Sequence, residues 1–379
     1  MSTRKLIVGL GLPLATALAA ALVWGAGGDG AEGELAARVE AARRSHTVLS
    51  PVYTVDRKYR SMMGPYSEQR IELGKADDAD GSELLWIVGY RAVMVGPDGE
   101  TPVPQEFMCH SNLDVDVASH AEALGISPSF SSRLFTLSQG QLEVRFPAGF
   151  GLPMRSDESL SLTTQVLNLN LDLAATGEEL EVRHKVTVEY VRDAEVGSGM
   201  KALFPTSAYG LALLEGDDGY FGVRRPDDET HGPGCMVADS ASEHAYEDGM
   251  GRKFTGHWVV EPGREVNRTL VTRLMQIPYD TTLHYIAVHL HPFAESLELR
   301  DLTTGETLFE SAAENFDDHI GLARVDSFSS REGIPVYADH EYELVSVYDN
   351  TTDEDQDSMA VMYLYLHDRE LDLRRERRR

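Results

Sequence analysis

Short apolar runs, alternating or nearly continuous, recur along most of the chain and are closed by turn-forming residues. A period of two predicts strands over 84–94, 107–117, 133–146, 160–173 and 180–191. A second set is predicted over 202–214, 257–260, 267–276, 282–291, 297–308, 341–348 and 359–366. Turn signals separate them, among them Pro97-Asp98-Gly99, Gly216-Asp217-Asp218-Gly219 and Thr303-Thr304-Gly305. The body carries no long amphipathic helical pattern. Many short strands at this spacing argue for antiparallel layers, not an alternating α/β sheet. The expected class is therefore all-β: two tandem jelly-roll-like antiparallel β-sandwich domains after an N-terminal hydrophobic segment.

The domain edges follow from composition. Arg4 and Lys5 precede a stretch, 6–28, without a charged residue. Its length suits a signal peptide or a membrane anchor, so 1–28 is assigned to one of these and the chain to an exported location, periplasmic, extracellular or on the outer face of a membrane. Residues 29–46 have helical composition and are expected to form a stalk or linker. The charged, glycine-containing stretch 192–200 suggests a boundary, giving sandwiches over 47–195 and 196–368. Residues 216–256 are rich in loop formers and acids, and 369–379 form an arginine-rich tail expected to be solvated and frayed.

At 379 residues the chain can bury two sizeable cores, and its 42% hydrophobic and 25% charged content is that of a globular protein. A formal charge of −28 argues against a nucleic-acid partner. A membrane is expected as a partner only through the N-terminal segment, if it is retained. Cys109 and Cys235 are the two cysteines; in an oxidising compartment they could pair, and two buried thiols are an equal alternative. There is no phosphate-binding glycine loop, no Gly-x-Ser-x-Gly elbow, no His-Glu-x-x-His helix and no Cys-x-x-Cys pair.

The candidate chemistry lies in Ile286-Ala287-Val288-His289-Leu290-His291. Alternate strand residues share a face, which puts the Cβ atoms of His289 and His291 about 6–7 Å apart and within reach of one metal ion. Met359 opens the last predicted strand after the acidic loop Asp353, Glu354, Asp355 and Asp357. Two neutral imidazoles and a thioether suit Cu(I); methionine is a poor zinc ligand, which leaves zinc as the lesser alternative. Met362 is expected on the opposite face of its strand. His110, His257 and His284 are weaker candidates, as supporting groups or additional ligands, with His284 facing away from His289 in an unbroken strand.

The His-x-His strand, the acidic loop, Met359 and the aromatic strand with Tyr363 and Tyr365 together resemble the second domain of the type II copper, ascorbate-dependent monooxygenases, the family of peptidylglycine α-hydroxylating monooxygenase and dopamine β-monooxygenase. The resemblance covers 255–367. It implies one copper held by His289, His291 and Met359, and hydroxylation of a C–H bond in a small molecule or peptide with an external reductant. In the first half the resemblance implies an adjacent His-His pair and a third histidine. This chain has Cys109-His110 at the first place and Leu167, in Leu162-Thr163-Thr164-Gln165-Val166-Leu167, at the second. A single retained copper site is the expectation. The alternative is a non-catalytic copper-binding, storage or surface-interaction protein on the same scaffold.

Overall fold

A computed structural model describes residues 29–61, 63–74, 82–126, 131–213, 246–247 and 250–378. The hydrophobic segment 6–28, Cys235 with its proposed pairing and the turn 216–219 lie outside the described residues.

One ten-stranded sheet runs through both halves. Its first-half members are Arg44–Leu49, Leu180–Arg192, Leu84–Val95 and Phe150–Arg155; it continues through Lys201–Tyr209, Ala360–His367, Thr281–Leu290 and Phe328–Val336. The halves meet in a parallel pair, Lys201 opposite Phe150 and Ala202 opposite Gly151, whereas the other pairings of this sheet are antiparallel. Gly151 fits there because a Cβ would stand only 3.0 Å from the Ile87 carbonyl oxygen.

In the first half the sheet faces Tyr66–Ile71, Leu160–Val166, Met108–Val115 and Arg133–Leu137. In the second it faces Gly263–Leu270, Tyr342–Asn350, Ala294–Asp301, Glu306–Asn315 and Leu322–Val325. The antiparallel all-β class expected from periodicity is the observed one. Alternation explains the cores. Val186 and Val188 point inward with Tyr90 and Met94, while Val288, Met362 and Leu364 pack with Leu297, Leu299 and Leu344. The opposite face of the second-half strands carries Tyr285, Ala287, Met359, Val361, Tyr363 and Tyr365, and these join the first-half core. Phe146 seals that junction, its ring 4.8 Å from Tyr365 and 5.7 Å from Tyr285. The face bearing His289 is therefore turned toward the first half.

Several expectations are corrected. Residues 29–46 are no stalk: the helix Asp29–Ala42 buries Leu35 and Val39 against Trp86, Val88 and Val191, and the first strand already starts at Arg44. The basic tail is no frayed end, because Arg369–Arg378 is a helix whose Leu371 enters the same apolar cluster. Arg375 there lies 4.3 Å over the Trp86 ring and pairs with Asp193 at 2.8 Å. Burying one leucine and stacking one guanidinium outweighs the mutual repulsion of a solvated arginine run. The strand expected over 267–276 ends at Leu270 and gives way to the helical turn Thr272–Met275. The helical turn Asp193–Val196 links the strands Leu180–Arg192 and Lys201–Tyr209.

Candidate metal centre

His289 lies near the end of Thr281–Leu290, and His291 follows just beyond it. The strand pairs with Ala360–His367, placing His289 opposite Val361 and Leu290 opposite Ala360, so the next step of the register brings His291 opposite Met359. Tyr348 fixes that step: the His291 backbone N–H donates to its hydroxyl at 3.2 Å, and the hydroxyl donates to the Met359 carbonyl at 2.6 Å. Met359 packs on the same face as Val361 and Tyr363, while Met362 joins the core on the other face. His289, His291 and Met359 thus occupy one face.

A third imidazole joins them. His257 leads into the ribbon Trp258–Val260 and Gln356–Ser358, in which Trp258 faces Ser358. The Thr255 hydroxyl accepts from the His257 N–H at 3.1 Å and donates to its carbonyl at 2.9 Å, fixing the backbone at the bend. The His257 and His291 ring centres are 5.1 Å apart, and those of His289 and His291 are 5.3 Å apart. Relative exposures are 5% for His289, 7% for His291 and 1% for His257.

Two imidazoles bound to one tetrahedral ion at metal–nitrogen distances of about 2.0–2.1 Å have ring centres about 5 Å apart, which matches both separations. Among the described residues, no group of three or more His, Cys, Asp or Glu side chains is already arranged to hold a metal ion. The rings are spaced for a shared ion but are not all turned to one point.

One outer contact fixes which nitrogen of His291 is available. The His291 Nδ1–H donates to the Asp357 carbonyl at 3.2 Å, so Nε2 carries the lone pair, with the Ser61 hydroxyl 3.4 Å away. His289 Nδ1 is hydrogen-bonded to the Ser138 hydroxyl at 2.8 Å. Ser61 and Ser138 belong to the first half, so this site is built across the junction. The 138–141 turn also grips the histidine strand directly: Gln141 Oε1 accepts the Val288 N–H at 2.6 Å.

Burial holds His289 and His291 in the neutral form. Burial pushes the basicity of His289 well below the ordinary value, with the neighbouring His291, His110 and His257 acting in the same direction. Burial, then His257, pushes His291 down to about 4. Neutral imidazoles at neutral pH are ligands that need shed no proton.

His289 and His291 open onto a cleft of about 640 Å³. Arg57, Lys58 and Arg60 lie along its lining, as do Met108, Cys109 and Leu167, and the acidic loop contributes Glu354 and Asp357. Arg60 pairs across it with Glu354 at 3.6 Å.

The remaining sequence candidates divide. His110 is buried and close enough to His289 to act on its basicity. His284 stands apart because a bulge interrupts the strand between Leu283 and Tyr285. Its Nε2 meets the Thr282 hydroxyl at 2.7 Å, its Nδ1 donates to the Ser330 carbonyl at 3.0 Å, and its ring stacks on Phe150 at 4.0 Å. It supports packing away from the cleft. Cys109 is buried and lines the cleft. Sequence reasoning passed over Ser138, Ser61 and His184. No local pattern marks the two serines, but the alternation of Val182, His184, Val186 and Val188 puts a histidine in a core row.

No protein-family description and no curated protein matches the sequence. Among solved structures, the chain is similar to the major capsid protein P2 from Bacteriophage PM2, with TM-score 0.29 and 6% identity over 84% of this chain and 97% of that one. A putative membrane anchored protein from Corynebacterium diphtheriae gives TM-score 0.17 and 8% identity over 86% of this chain and 93% of that one. Likenesses this distant carry no functional inference, and the β-sandwich assignment stands on the chain's own sheets.

Proposed function

We propose that the chain is an exported copper-binding protein that holds one copper ion at the floor of the cleft. His289, His291 and His257 would supply ring nitrogens and Met359 the soft sulfur. The observation that carries this reading is the packing of three buried imidazoles with ring centres 5.1 and 5.3 Å apart. His289 and His291 are held neutral, so neither has to shed a proton to bind. Imidazole alone suits zinc as well as copper; the thioether on the same face favours Cu(I).

When bound, copper would supply a one-electron redox centre facing the cleft. The chain's own residues set the rest: Ser138 and the Asp357 carbonyl orient the rings, and the Tyr348 hydroxyl holds the His291 and Met359 backbones together. A cleft of about 640 Å³ leading to the cluster favours a second reading, reductant-dependent hydroxylation of a small molecule or peptide.

Anaerobic Cu(I) titration of the purified chain tests the site. His289→Ala and His291→Ala are expected to abolish cleft binding, and Met359→Leu to weaken Cu(I) while leaving Zn(II) affinity unchanged. Cu(I) binding untouched by His289→Ala would defeat the assignment. Ascorbate-dependent oxygen uptake by the copper-loaded chain, lost in Met359→Leu, would favour the hydroxylase; its absence across small-molecule and peptide substrates would favour a binding protein.

A further inference from the structure

The turn that follows the histidine strand carries a strained aromatic residue. Phe293 has φ +72°, and among the described residues the other non-glycine with a positive φ is Gln276, which ends a helical turn. Left-handed backbone is unfavourable for a bulky side chain and persists only where the surroundings impose it. Asn315 imposes it here from both sides. Its Oδ1 accepts the Phe293 N–H at 2.7 Å, and its Nδ2 donates to the Ala294 carbonyl at 2.8 Å. The Phe293 carbonyl accepts the Asp349 N–H at 2.9 Å. Held this way, Phe293 packs on the second-half core yet stays half-buried and lines the cleft.

Cations border the same cavity. Arg57, Lys58 and Arg60 stand against Glu354 and Asp357 in its lining, three charges against two, although the whole chain has 34 lysines and arginines against 62 acids. Arg60 is engaged by Glu354, and Arg57 by Asp56 at 3.3 Å. Lys58 is exposed and pairs with no carboxylate among the described residues. We propose that the cleft binds an aryl anion, with Phe293 as its specificity-determining residue and Lys58 as its counter-charge. The Phe293 ring offers a flat apolar surface for the aryl body, and the spare ammonium of Lys58 sets the sign of the ligand. A cavity of about 640 Å³ has the size of a small-molecule site. Neither side chain belongs to the histidine and thioether cluster, and this binding needs no metal. It therefore stands apart from the copper reading.

The test is isothermal titration calorimetry of the chelator-treated full chain with 2-naphthalenesulfonate. Cyclohexanesulfonate and 2-naphthylmethylammonium serve as controls for shape and charge. The wild type is expected to bind one equivalent of 2-naphthalenesulfonate, about tenfold more tightly than either control. Phe293→Leu keeps an apolar side chain at the turn and should remove the preference for the naphthyl over the cyclohexyl sulfonate. Lys58→Gln alters an exposed side chain and so leaves the fold intact. It should weaken both sulfonates several-fold, with the difference from wild type shrinking as salt is added. Anaerobic Cu(I) titration reads the metal site separately. A chain that takes up Cu(I) but no sulfonate overturns this proposal alone, and one that binds the sulfonate but no Cu(I) overturns the copper reading alone. A 2-naphthalenesulfonate affinity unchanged in either variant, or matched by the ammonium control, would also overturn the proposal.

Discussion

At the residue scale, the cleft histidines depend on oxygens that bind no metal themselves. Ser138 is the clearest case, because its hydroxyl meets His289 Nδ1 at 2.8 Å and comes from the opposite half of the molecule. Removing an outer partner of a ligating histidine typically costs 10–100-fold in metal affinity. Ser138→Ala is expected to weaken Cu(I) binding by about that factor with the fold intact, measured by chelator competition and far-UV circular dichroism. An unchanged affinity would mean that His289 is oriented by its strand alone. Much of this site was legible in the sequence, since a period of two is enough to put His289 and His291 on one face. His257 could be singled out but not placed, because it reaches the cluster through the ribbon pairing Trp258 with Ser358, a contact across about a hundred residues. Ser138 gave no signal at all: a serine in a turn looks the same whatever it faces.

At the element scale, the Tyr348 hydroxyl does what strand pairing does elsewhere. It accepts the His291 N–H and donates to the Met359 carbonyl where the ladder has already ended. Tyr348→Phe leaves both backbone groups buried without this partner, and a loss of roughly 1–3 kcal/mol in unfolding free energy is expected by urea titration. The same variant should bind Cu(I) more weakly, as the ends bearing His291 and Met359 separate. The terminal helix makes a parallel case. Its arginine content suggested a solvated end, yet Leu371 and Arg375 share the turn-to-turn spacing that docks one helical face on Trp86. Charge outweighed that face in the sequence reading because the partner, a tryptophan on Leu84–Val95, is remote in the chain. Leu371→Ala is expected to cost about 2 kcal/mol, the low end for a buried leucine, since the helix covers the outside of the sheet. A variant as stable as the parent would show the helix to be dispensable.

At the scale of the whole molecule, burying neutral histidines ties global stability to pH. His184 is the cleanest probe, being fully buried and distant from the cleft residues in sequence. Its folded-state value is held at about 3, below the ordinary 6.5 that the unfolded chain would show. Above pH 6.5 the ring is neutral in both states and contributes no pH dependence. As pH falls through 6.5, the unfolded chain takes up a proton that the folded chain refuses, so stability declines. The slope from this residue approaches about 1.4 kcal/mol per pH unit and levels off only near pH 3. His289 and His291 are depressed in the same direction and add to it in the metal-free protein. Urea unfolding of the chelator-treated chain at pH 7, 6 and 5 should therefore show a steep loss of stability, and His184→Leu should remove about one proton's worth of slope between pH 6 and 5. A wild-type curve as flat as the variant's would mean that water reaches His184 in the folded state. The same core position that makes the protein sensitive to acid is what keeps this imidazole neutral at neutral pH.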